Sequence, residues 1–144
     1  MLPAPLTLQE VLAQALADAL PPDQPWEHAL VSYELGEDLA DGDGPDTGYI
    51  AFYLTRAAGN VLVVEEMNLP AAMHPLFQDL RQAMAGGDPA RRWGTAELTL
   101  SGDGRYQFTF DYGPPKRLNG ILDEESYDRF RTERYLAAYA AGRG

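Results

Sequence analysis

The stretch WGTAELTLSGDGRYQFTFDY, Trp93 to Tyr112, decides the fold, because its side chains alternate as two strands and its glycines mark the turn between them. Tyr106, Phe108, Phe110 and Tyr112 alternate with Arg105, Gln107, Thr109 and Asp111, the period-two pattern of a half-buried strand. In the strand before it, Gly94, Ala96, Leu98 and Leu100 alternate with Thr95, Glu97 and Thr99. Opposed residues share a face, so a one-residue slip would turn one apolar row outward and parity fixes the turn. A two-residue loop would set Leu98 beside Gln107 or Thr109, whereas a three-residue loop of Gly102, Asp103 and Gly104 pairs Leu100 with Tyr106, Leu98 with Phe108 and Ala96 with Phe110. Gly104 then takes the left-handed position that such loops need. Small residues facing aromatics suit a core, with each buried aromatic contributing roughly 1.5–3 kcal/mol. The hairpin reads as scaffold and carries no catalytic constellation.

The whole chain of 144 residues fits a single α+β domain, 1–144, large enough to bury roughly two thirds of its unfolded surface. There is no basic segment followed by an apolar run at the start and no stretch near the ~20 apolar residues of a membrane span, so a cytoplasmic protein is expected. Without cysteine, disulfides, thiolate zinc sites and cysteine nucleophiles are excluded. The net charge of -11 is unevenly placed. Residues 1 to 55 hold ten acids and no Lys or Arg, and the remainder carries twelve acids against eleven bases. Seven acids lie between Glu27 and Asp46. Such a field repels nucleic acid and anionic membranes and attracts a basic protein, although acidic surfaces also serve solubility alone.

Thr7 with Glu10 forms a capping box for a helix over 7–20, with Leu8, Val11, Leu12, Ala15, Leu16 and Ala19 as its apolar stripe and Pro21-Pro22 as its stop. From Trp26 to Leu35 a strand places Ala29, Val31, Tyr33 and Leu35 inward and His28, Ser32 and Glu34 on a wet face. GEDLADGDGPDTG reads as an acidic loop, and GYIAFYLT, Gly48 to Thr55, as a central strand covered on both sides. RAAGN turns the chain into a strand over Val61 to Glu66. Pro75 begins a helix to Ala85 that presents Leu76, Phe77, Leu80 and Met84 on one face and is stopped by Gly86-Gly87. Beyond the hairpin and the basic loop GPPKRLNG, a last helix runs from Asp123 to about Tyr139. The order is therefore α-β-β-β-α-β-β-α, giving a mainly antiparallel five-stranded sheet with helices packed on it.

The acidic loop fails the calcium-loop pattern: counting Asp41 as position 1 puts Phe52 where a bidentate Glu belongs, so no metal is expected. Ser32, Ser101 and Ser126 lie in no nucleophile elbow, and His74 before Pro75 suits a local cap better than a general base. The separation of paired carboxylates is a tertiary quantity that sequence does not fix. No phosphate loop follows a strand. Trp26 and Trp93 at strand starts read as core lids, and Arg91-Arg92 and Lys116-Arg117 are small basic spots beside the hairpin. The expectation is a protein that is not an enzyme and carries no cofactor.

With HPLFQDLRQAM, the downstream Trp93 and SGDGRYQFTFDY in place, the span from Trp26 to Tyr112 resembles the YezG-like family of small bacterial antitoxin or immunity proteins. The resemblance implies an α+β protein that binds and neutralises a cognate toxin, often a nuclease. On that reading Glu37, Asp38, Asp41, Asp43 and Asp46 supply carboxylates where phosphates would lie in a basic cleft, with Tyr135 and Tyr139 as the alternative aromatic contacts. The partner would be the toxin or another basic protein, neither nucleic acid nor membrane. The same element order also looks like type III secretion chaperones, homodimers that hold an effector segment, and that alternative stays open beside a small carboxylate enzyme.

Overall fold

A computed structural model describes residues 4–22, 25–38 and 45–113. Within them lie helix α1 (Pro5–Ala19), strands β1 (Trp26–Asp38), β2 (Pro45–Ala57) and β3 (Val61–Glu66), helix α2 (Met73–Ala85), a short 3-10 turn (Pro89–Arg91), and strands β4 (Thr95–Ser101) and β5 (Tyr106–Asp111). The strands form one antiparallel sheet in the order β3-β2-β1-β4-β5. This is the expected α+β class with the expected α-β-β-β-α-β-β sequence of elements. The helix expected over 123–139, with Tyr135 and Tyr139, lies outside the described residues.

The hairpin has the register that parity demands: Leu100 opposite Tyr106, Leu98 opposite Phe108, Ala96 opposite Phe110. Ser101 N–H donates to the Arg105 carbonyl at 2.8 Å, Gly104 N–H donates to the Ser101 carbonyl at 2.9 Å, and Gly104 has φ +91°. Leu98 and Leu100 are buried, but the facing aromatics are not equally so: Phe108 and Phe110 are half-buried and Tyr106 is exposed. Among the described residues β5 ends the sheet and has a strand neighbour on one side only.

β3 and β4 flank β1 and β2 on opposite sides, so the chain between them must cross the sheet, and α2 makes that crossing. It packs beside α1 on the face that carries Ala29, Val31, Tyr33 and Leu35 of β1 and Ala96, Leu98 and Leu100 of β4. Leu8, Leu12, Leu16, Met73, Phe77, Leu80 and Trp93 complete this core. A second cluster, Leu30, Ile50, Phe52 and Leu54, lies on the other face and consists of strand residues. Three local expectations change accordingly. β1 has no wet face: Leu30, Ser32 and Glu34 are all buried, and Leu30 joins the second apolar cluster with Ile50, Phe52 and Leu54. The Thr7 capping box is not used, because α1 begins earlier with Pro5 at its first turn, where a missing N–H costs nothing, and Leu8 N–H donates to the Ala4 carbonyl. α2 likewise begins at Met73, ahead of Pro75, and closes on Gly86 with φ +60°.

Because a Cβ on Gly104 would meet nothing within 4 Å, Gly104→Ala isolates the cost of its backbone conformation. Urea unfolding is expected to show a loss of about 1–2 kcal/mol at unchanged m-value. Gly102→Ala, at a glycine without positive φ, should lose less.

Candidate partner-binding site

The acidic segment is carried by the far end of the β1–β2 hairpin, and its neck is shaped by the strand pairing. Leu35 is opposite Thr47 and Asp38 is opposite Pro45, so β1 carries one extra residue between them. Such a bulge takes carbonyls out of the ladder and leaves them needing donors. Arg81 of α2 supplies one: its Nη1 donates to the Leu35 carbonyl at 3.1 Å and to the Gly36 carbonyl at 3.2 Å. The guanidinium is buried, at 9 % exposure, so these bonds form in a medium where an unmade one is expensive.

One pleat further from the tip, aromatic rings fasten the same two strands to α2. Tyr33 stacks on Phe77 with centroids 4.3 Å apart and lies parallel to Tyr49 at 6.5 Å. His74 sets its edge against both tyrosines, at 5.4 and 5.6 Å. Its Nδ1 is 2.7 Å from the Tyr33 hydroxyl, so His74 braces a strand and does not cap its own helix. Tyr49 is tied in turn, its hydroxyl accepting the Leu69 N–H at 3.2 Å. Burial pushes the Tyr33 hydroxyl up to about 12, against a smaller downward pull from a Thr47 hydrogen bond. It therefore stays protonated across the neutral range and keeps its hydrogen bond with the imidazole.

The acids assigned to this end divide into three groups. Glu27 is paired with Arg56, its Oε2 accepting from Nη2 at 3.3 Å, and Glu34 is buried at 2 % exposure. Neither belongs to an open acidic surface. Glu37 and Asp38 are the last residues of β1 and Asp46 is the second of β2, so these three extend strands where a loop was expected, and their side chains lie outside the described residues. Asp41 and Asp43 lie in 39–44, outside the described residues altogether, as do Tyr135 and Tyr139. The pairing of Asp38 with Pro45 nevertheless ties the acidic segment at both ends to one hairpin.

Arg81, Tyr33 and Tyr49 were not singled out by sequence reasoning, yet one signal for Arg81 was there. It follows Phe77 by four residues, so a lone arginine sits on the apolar face of α2. Among the described residues no group of three or more His, Asp or Glu could hold a metal ion, and no helix is long and apolar enough to cross a membrane. No protein-family model matches the chain, and no curated protein is significantly similar to it.

Two outcomes follow from the brace. Arg81→Met keeps most of the packing but strands two carbonyls, and chemical denaturation should register a loss of about 2–4 kcal/mol. For Tyr33 the folded-state value lies above the ordinary 10.0, so its contribution is complete below pH 10 and is lost as pH rises through about 12. The loss amounts to roughly 2–3 kcal/mol, and a Tyr33→Phe variant should show a correspondingly shallower alkaline decline.

Proposed function

We propose that this chain is a non-catalytic binding protein of the immunity or antitoxin kind, which neutralises a basic protein toxin such as a nuclease through the acidic end of its β1–β2 hairpin. The observation that carries the reading is the concentration of charge on a braced support. Glu37, Asp38, Asp41, Asp43 and Asp46 lie within one short segment anchored by Asp38 opposite Pro45. The neck below it is held by Arg81 and by the Tyr33–Phe77 stack.

Carboxylates presented in this way imitate a run of phosphates, and long-range attraction raises the association rate with a basic cleft. A firm neck matters because residues already held in place lose little freedom on binding, which limits the entropic cost of association. A chaperone-like homodimer is the second reading. It is favoured by the half-exposed aromatic row of β5, since such a protein needs apolar surface open to another chain.

The protein used as bait in lysate of its source cell should capture a basic protein. Changing Asp38, Asp41, Asp43 and Asp46 to Asn should abolish capture, as should raising ionic strength until the screening length falls from roughly 10 Å to roughly 3 Å. Capture that survives both changes would remove the acidic end from the interface.

A further inference from the structure

Among the described residues β5 is an edge strand, and its sequence lacks the usual protection. Edge strands are normally blunted by lysine, proline or an inward charge, because their free N–H and C=O groups invite pairing with another chain. Across Tyr106–Asp111 the sequence YQFTFD has no lysine and no proline, and it lines up Tyr106, Phe108 and Phe110 on one face. Tyr106 is 38 % exposed, and Phe108 and Phe110 are only partly buried where they pack against the helix-side core.

The hydrogen bonds of the hairpin say which backbone groups of β5 turn towards β4 and which turn away. Ser101 N–H donates to the Arg105 carbonyl, and Gly94 N–H donates to the Asp111 carbonyl at 2.9 Å, so the odd-numbered residues of this strand direct their backbone groups at β4. By alternation, Tyr106, Phe108 and Phe110 direct theirs away from β4, to the edge that no described strand occupies. A second strand laid antiparallel there must pair residues of this parity to close the bonds.

We propose that the occupant of this edge is a second copy of the chain, paired antiparallel about a two-fold axis at Phe108. The inference stands apart from the immunity reading and concerns a different surface. In this register Phe108 faces its own counterpart and Tyr106 faces Phe110 of the other copy, so the outward backbone groups of all three residues are satisfied reciprocally and the aromatic rows merge. On the opposite face Gln107 meets Thr109, and Arg105 meets Asp111. The flanking charges select this register. Moving the axis one residue towards the turn would set Asp111 against Asp103, and moving it one residue the other way would leave Arg105 opposite Gly113. A symmetric pairing also repeats each attraction twice, since a two-fold interface presents the same patch from both sides. Arg105 is available for it, its side chain being 88 % exposed beside Asp103 at 3.2 Å. The result is one continuous sheet through the two copies, with the acidic hairpin ends left open to partners.

Charge exchange on the full chain tests the register. Sedimentation equilibrium should show a dimer for the natural protein. Arg105→Asp and Asp111→Arg, both at exposed positions, should each weaken it by roughly tenfold or more by setting like charges opposite at two places. Circular dichroism should show both variants folded. An equimolar mixture of the two variants should recover the dimer, because each substituted position then meets an opposite charge across the axis. A natural protein that is monomeric at all concentrations overturns the proposal, and so does a dimer that the single substitutions leave unchanged or that mixing fails to restore.

Discussion

The pairing of β1 on both sides is the constraint from which the other elements take their places. Its ladder runs to β2 from Trp26 to Asp38 and to β4 from His28 to Glu34. A strand so enclosed has no backbone group left for water over that span, and both of its faces are covered: Leu30, Ser32 and Glu34 on one, Ala29, Val31, Tyr33 and Leu35 on the other. With β2 and β3 on one flank, β4 can pair only on the other, and α2 must cross the helix-side face to bring it there. The helix that makes the crossing is also the helix that braces the hairpin neck. Support for the acidic end is thus a consequence of topology, with no separate element devoted to it.

Rigidity and charge occupy different residues in this arrangement. Arg81 is buried and spends its hydrogen bonds on the Leu35 and Gly36 carbonyls, so it can hold the neck without lying at the surface among the acids. Exposed carboxylates contribute little to folding stability, and repulsion among them slightly opposes it. Stacking of Tyr33 on Phe77 and the buried bonds of Arg81 stabilise the neck without drawing on those acids, as the proposed binding of a basic partner requires. β5 lies three strands from β2, beyond β1 and β4, so a contact along its edge and a contact at the end of the β1–β2 hairpin use separate parts of the sheet.

What the sequence disclosed follows from which signals are local. The β4–β5 register was legible because parity, a three-residue turn and Gly104 all lie within one short stretch and agree. The order of elements was legible for the same reason. The covering of β1 was not: Ser32 and Glu34 look like wet-face residues yet are buried beside an apolar cluster of Leu30, Ile50, Phe52 and Leu54, which brings together residues from two strands that no local pattern assigns to one face. The capping box at Thr7 was a sound local pattern overridden by Pro5. Strand pairing also claimed residues 36–38 and 45–48 of the stretch expected as a loop. Of the site, composition revealed the charge, while the brace was hidden because Arg81 is separated from Leu35 by most of two strands and a helix.

The account's central claim is that α2 holds the hairpin neck as a firm support for the acidic end. Native-state amide hydrogen exchange tests it most directly. The account predicts that the amides of Val31, Tyr33 and Leu35, together with those of Tyr49 and Ala51, exchange only through global unfolding, and that Arg81→Met opens Leu35 and its neighbours locally. Neck amides that already exchange through small local openings in the natural protein, or that are indifferent to the loss of Arg81, would contradict it.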